Sequence, residues 1–423
     1  MRVQLAYGKT GLEVELPDCR QITVVEPRFA EGLGNPSQAI TQALLNPIQS
    51  PPLRSCLKPG SRVGIIFSDI SRPTPNELIL PPILEHLNHL PPENIVLFNA
   101  CGTHRQNTDQ ELRTILGDHL ADTYQVIQND AFDKQTQVYL GTTSRGHKLW
   151  LNRETVDCDV RILTGFIEPH FFAGFSGGGK ALMPGMGGLE TILGNHDARN
   201  IADPNATWGI TEGNPIWEEV REVALGVGQN FLVNVTLNKN KKVTRVFAGQ
   251  LRAAHEAGCA FAKRTAMVPV RHSYDIVVTS NSGYPLDLNL YQAVKGMRAA
   301  AQIVRPGGAI IIAADCWDGI PEHGKYGSLL REARSPRELL DRIASPGFSE
   351  HDQWQAQIQA QVQLKARVLV YTKNLTDEQI HSALLEPCHS IEVTLNTLVR
   401  EFGPQSSICV LPEGPQTIPY IAN

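Results

Sequence analysis

Between Glu168 and Gly185 the chain reads Glu-Pro-His-Phe-Phe-Ala-Gly-Phe-Ser-Gly-Gly-Gly-Lys-Ala-Leu-Met-Pro-Gly, and no other stretch gathers so much potential chemistry. Gly174 to Lys180 fit the pattern G-x-x-x-x-G-K, in which bare backbone amides and one ammonium cradle a phosphate. The next position is Ala181, where a nucleoside triphosphatase needs a Ser or Thr hydroxyl for magnesium. Pro184 then stands where a phosphate-binding helix would have to continue. The loop is therefore expected to hold a nucleotide without hydrolysing it. Lys180 is left for other work, with Gly177, Gly178 and Gly179 letting the backbone approach a bulky ligand closely while the amine reaches its reactive end.

Three of the 13 histidines fall in loops near this stretch: His104 in Gly-Thr-His-Arg, His170 just before the glycines, and His196 in Gly-Asn-His-Asp-Ala-Arg. Imidazole suits borderline metals and also moves protons near neutral pH. None has the spacing of a zinc helix, so one of them is expected to complete the coordination of a metal that arrives already bound to something else. Ser68-Asp69-Ile70-Ser71-Arg72-Pro73 places a carboxylate and a guanidinium before a helix. Arg72 there is suited to a bidentate carboxylate, and an Asp69 helix cap beside a surface Arg72 is the equal alternative. Farther on, Gln292 and Lys295 share one helix face. Arg298, one turn beyond, reads first as a surface charge and otherwise as an extra cation for a dicarboxylate.

Short β-branched runs position these residues: 62–67 before Ser68-Asp69, 94–98 before the His104 loop, and 160–166 before the glycines, with a helical period over 76–90. Further strands are expected at 274–279, 309–313, 366–371 and 407–411. The alternation predicts an α/β fold of two domains with mostly parallel sheets and ligand groups at the strands' carboxyl ends. A basic, proline-marked stretch at 265–272 divides it into a cofactor-binding domain over 1–268 and a second domain over 269–423. The Gln-rich segment 353–363 reads as a polar helix face. Charge is balanced, with 38 basic and 43 acidic residues and a net of −5, which gives no field to recruit nucleic acid or a membrane. Eight scattered cysteines, Cys19, Cys56, Cys101, Cys158, Cys259, Cys316, Cys388 and Cys409, read as buried thiols of a reducing cytoplasm. The first residues alternate like a strand, and neither a signal peptide nor an apolar run of membrane-spanning length is expected.

Together these segments resemble the lactate racemase family over nearly the whole chain. The likeness rests on S-D-x-x-R-P at Ser68, G-T-H-R at Gly102, the Glu168–Gly185 block, G-N-H-D-A-R at Gly194, G-Y-P-L-D at Gly283 and Y-Q-A-V-K-G-M at Tyr291. It implies a covalent nickel-pincer nucleotide, a nickel complex of a pyridinium bis-thiocarboxylate mononucleotide, on Lys180, with His196 as the protein ligand of nickel. It implies His104 and His170 as the acid/base pair and Arg72, Tyr291, Gln292, Lys295 and Trp354 as substrate-binding residues. Asp69, Ser176, Gly177, Gly178 and Gly179 are counted with the cofactor. A site in the cleft between two domains, a 2-hydroxy acid substrate such as lactate or malate, and partner proteins that make and load the cofactor follow from the same likeness.

The chemistry agrees with those residue types. The α-hydrogen of a 2-hydroxy acid is hard to remove as a proton beside an ionised carboxylate, whereas hydride transfer to an electron-poor ring avoids the carbanion. A planar 2-oxo acid results, and return of the hydride to its other face inverts the centre. One base for each enantiomer accounts for two histidines that do not ligate metal. Against this stands a nucleotide-binding transferase or kinase using the Gly174–Lys180 loop for a soluble nucleotide, which Ala181 and Pro184 oppose. A nicotinamide-dependent dehydrogenase lacks its G-x-G-x-x-G, and a non-enzymatic binding module leaves Lys180 and the three histidines without a purpose.

Overall fold

A computed structural model of the chain describes residues 1–17, 21–28, 30–322 and 324–422; Cys19 lies outside them. The chain divides into two compact units. One comprises Phe29–His196 and Asp203–Arg264, the other Met1–Arg28, Asp197–Ala202 and Thr265–Asn423.

In the first unit, strand Val63–Ser68 lies between Ile95–Ala100 and Val160–Phe166. Gln125–Gln128 extends one edge and Gln229–Leu237 the other, all parallel, and Val243–Gln250 closes the second edge antiparallel. The three central strands are buried almost end to end, and so their sequences are unbroken apolar runs without alternation. Ile65 and Phe67 pack on one face with Ile79, Leu80 and Ile83 of the helix Asn76–His86. Ile66 and Leu163 pack on the other with Trp217 and Val220 of the helix Pro215–Gly226. Helices on both faces leave only the strand ends for a ligand. The order of strands reverses between Val63–Ser68 and Val160–Phe166, which is where a parallel sheet opens a crevice at its carboxyl edge. The loops carrying Asp69, His104 and His170 leave from that edge.

The second unit has a six-stranded parallel sheet in the order Glu386–Pro387, Ala366–Tyr371, Val304–Ala313, Tyr274–Ser280, Ser407–Leu411, Gln21–Val24. Its last strand departs from the division at residue 268. The N-terminal segment belongs to this unit because Gln21–Val24 pairs with Ser407–Leu411, Ala6 N donates to Pro412 O, and Gly8 N donates to the Asp287 carboxylate at 2.7 Å. A four-residue strand carries no local sign of which sheet it will join.

The Gln-rich segment forms the helix Gln353–Lys365, but it does not present a solvated face. Gln353, Gln355, Gln357 and Gln359 are all buried. Three donate to backbone carbonyls, Gln357 to Ala198 and Gln359 to Ala383, both at 2.7 Å, and Gln355 to Tyr291, while Gln353 Oε1 accepts from Glu350 N at 2.7 Å. Buried amides need such partners, which a sequence does not display. The described cysteines are free thiols, all buried except half-buried Cys56. Among the described residues no helix is long and apolar enough to cross a membrane.

The short hairpin that carries His170 pairs Pro169–His170 with Gly174–Phe175. Gly174 has φ +77°, and a Cβ there would stand 2.1 Å from Ile210 O. Gly174→Ala is expected to cost at least about 2 kcal/mol, read by urea unfolding, from strain and the backbone clash together.

Candidate active site

Asp69, first residue beyond the strand Val63–Ser68, is only 4% exposed, while the His104 side chain is 46% exposed. His104 Nδ1 lies 2.8 Å from Asp69 Oδ2, and Ser71 Oγ donates to the same carboxylate at 2.9 Å. Burial pushes the Asp69 carboxyl up, but the hydrogen bond and charge of His104, the Arg72 charge and the Ser71 hydroxyl outweigh it and hold the group below its ordinary range. An ionised Asp69 accepts a hydrogen bond from Nδ1–H of His104, so Nε2 keeps its lone pair and can act as a base. Asp69 is thus the orienting partner of His104 and not the cap of the following helix. The following helix Asn76–His86 begins at Pro75. Arg72 is exposed at the same strand end.

His170 is set differently. Its Nδ1 accepts from the backbone amides of Ala173 at 3.2 Å and Phe172 at 3.5 Å, so a neutral ring carries its proton on Nε2. Beside it Phe172 gathers three of the residues singled out by sequence. Its ring centre lies 4.5 Å from that of His170, edge to face, and 5.0 Å from that of His196, and Lys180 Nζ stands 5.5 Å away. His196 is buried and caps the C-terminal end of the helix Leu189–Asn195, where the aligned carbonyl dipoles favour a cation.

The glycine loop holds itself together before it can hold a ligand. Gly178 N donates to Asn234 Oδ1 at 2.8 Å, and Ser176 Oγ donates to Phe166 O at 2.9 Å. At Gly178, φ is +60° and a Cβ would lie 2.6 Å from the His255 ring. Gly178 and Ser176 thus take part in internal packing, and Gly179 likewise faces Ala224. A 3₁₀ turn, Gly178–Ala181, stands where a phosphate-binding helix would begin, which argues against a soluble triphosphate. The turn leaves Lys180 half-buried near Phe172.

Two residues without a distinguishing motif fix these pieces. His255 is buried, stacks on Trp217 and donates from Nε2 to Ser176 O at 2.9 Å. Burial lowers its pKa to about 4. Glu219, 1% exposed, bonds Thr143 Oγ1 at 2.5 Å, His147 Nδ1 at 2.8 Å and Asn195 Nδ2 at 2.8 Å, and so anchors the residue before His196. Both belong to helices with ordinary amphipathic patterns, and their partners are remote in sequence.

In the other unit, Gln292 and Lys295 lie three apart on the helix Leu290–Ala300, whose cap Asn289 accepts from Gln292 N. Tyr291 Oη donates to Asp352 at 3.2 Å, just before buried Trp354.

The donor set suits a tethered metal group in two respects. An amine and a buried imidazole meet at one aromatic ring, and the imidazole is carried by the residue that ends a helix. Among the described residues no three His, Cys, Asp or Glu side chains converge on a metal, so a metal here would draw most of its ligands from the group that carries it.

Residues 7–209 match the family model for the lactate racemase N-terminal domain and residues 270–418 that for the lactate racemase C-terminal domain. A lactate racemase from Thermoanaerobacterium thermosaccharolyticum is 34% identical over 98% of both chains, and one from Lactiplantibacillus plantarum is 33% identical over 97% of this chain and 98% of its own. The solved lactate racemase apoprotein from T. thermosaccharolyticum superposes with a TM-score of 0.92 at 33% identity, covering 99% of this chain and 100% of its own. A protein from Thermotoga maritima, 17% identical with a TM-score of 0.67, covers 92% of this chain and 99% of its own and shares the fold.

Asp69→Asn should lower kcat roughly a hundredfold with KM changed little, because the imidazole loses its orienting anion and not its substrate contacts. The His255 pKa is depressed from 6.5 to about 4, so its contribution to stability is complete above pH 6.5 and lost as pH falls toward 4. That loss amounts to roughly 3 kcal/mol. Urea unfolding of His255→Gln, which keeps a donor for Ser176 but does not titrate, should be correspondingly less sensitive to acid.

Proposed function

Since the chain belongs to the lactate racemase family and racemises a 2-hydroxy acid, we propose that the substrate is lactate or a close analogue such as malate and that racemisation runs by hydride transfer through a 2-oxo acid. The observation that carries this reading is the meeting of Lys180, His196 and His170 at the Phe172 ring. Lys180 is the anchor of a covalent nickel-pincer nucleotide, and His196 is its protein ligand to nickel. When bound, that group supplies an electron-poor ring able to take and return a hydride.

The rest is done by this chain. His104 takes the hydroxyl proton of one enantiomer at Nε2, and buried Asp69 stabilises the imidazolium that forms. His170 serves the oxygen on the other face. The two are unequal, because protonating His170 at Nδ1 opposes the two amides that donate to it. Arg72 binds the substrate carboxylate, and Tyr291, Gln292, Lys295 and Trp354 complete substrate binding, which keeps the 2-oxo acid from leaving between half-reactions. We place the enzyme in the cytoplasm, dependent on proteins that make and load its cofactor.

Intact mass of protein made in cells that build the cofactor tests the anchor. The wild type should carry an added mass, and Lys180→Ala should fold, show no added mass and racemise nothing. Retention of the adduct in the variant would overturn the assignment.

A further inference from the structure

The helices Leu290–Ala300 and Gln353–Lys365 run side by side in one direction. Gln355 bonds the carbonyl of Tyr291 near their starts, and Lys365 Nζ bonds that of Ala301 at 2.6 Å past their ends. Arg298 stands in the last turn of the first helix, close to Lys365. It is not the surface charge its sequence position suggested: the residue is half-buried, and its Nε is cut off from solvent without a hydrogen-bond partner. Lys365 is half-buried as well. Among the described residues no carboxylate bears on either cation. Burial lowers the pKa of both, and the other charge felt by Lys365 is Arg298 itself.

Part of this arrangement is ordinary capping, since a cation near a helix C-terminus gains about 0.3–1 kcal/mol from the carbonyl dipoles. An uncompensated buried charge costs several kcal/mol, so capping alone does not account for two like charges placed together. What the pair lacks is an anion. The fork of Arg298 offers the geometry for two oxygens, Lys365 supplies a point charge, and the partial exposure of both leaves a route from solvent.

We infer that Arg298 and Lys365 form a binding site for a compact oxyanion, either a carboxylate or a phosphate, separate from the residues assigned to racemisation. The test uses the full-length apoprotein with inorganic phosphate and with succinate, which has no hydroxyl to react, titrated by calorimetry and by melting temperature against chloride of equal ionic strength. The wild type should bind one of these anions and melt higher in its presence; whichever binds more tightly identifies the chemistry of the ligand. Arg298→Met and Lys365→Met should each weaken that binding at least roughly tenfold. Arg298→Met should also melt higher than the wild type without anion, because a half-buried cation with an unsatisfied Nε has been replaced by an apolar side chain of similar length. Absence of binding to the wild type overturns the inference, as does binding of equal strength in the wild type and both variants, which would put the anion elsewhere.

Discussion

Phe172 is the side chain on which the candidate site is organised. Lys180 comes from a turn after three glycines, His196 from the end of a helix, and His170 from a two-residue strand, and the ring of Phe172 lies against all of them. The backbone that carries the ring is held in place. Its backbone carbonyl accepts from Asn214 at 2.8 Å, and the hairpin that turns it inward depends on Gly174 lying against Ile210. A tethered group would therefore meet a fixed apolar floor with an amine and two imidazoles around it, which is the preorganisation that a demanding transfer reaction needs.

Around that floor the polar groups are held by partners that keep them in one state. Asp69 stays ionised although buried, and fixes the tautomer of His104. His255 stays neutral because it is buried, and so pins Ser176. Glu219 spends both oxygens on Thr143, His147 and Asn195. In each case a buried polar group costs stability unless it is paired, and the pairing fixes a loop of the candidate site. The strand order supplies the rest, since it brings the three loops to one edge of one sheet.

Much of this is legible in the sequence. Val63–Ser68, Ile95–Ala100 and Val160–Phe166 read as strands because a parallel sheet covered on both faces selects continuous apolar runs. Lys180 and the three histidines stood out because their types and neighbours are unusual. What stayed hidden depended on long-range pairing. The N-terminal strand joins a sheet completed nearly four hundred residues later, at Ser407–Leu411. The glycines read as a ligand cradle, and nothing local shows that Gly178 also packs against His255 and donates its amide to Asn234. The glutamines of Gln353–Lys365 looked solvated because their carbonyl partners lie on other segments. Asp69 reads as a cap from its place before a helix, and its hydrogen bond to His104, 35 residues on, has no local sign.

The account stands on hydride transfer, and the fate of the C2 hydrogen measures it most directly. Enantiopure lactate racemised by cofactor-loaded enzyme in D2O can be followed at C2 by proton NMR. Transfer within the site predicts that the racemised product keeps its original hydrogen with no deuterium at C2. Deuterium appearing at C2 at the rate of racemisation would show proton exchange with solvent and contradict the account.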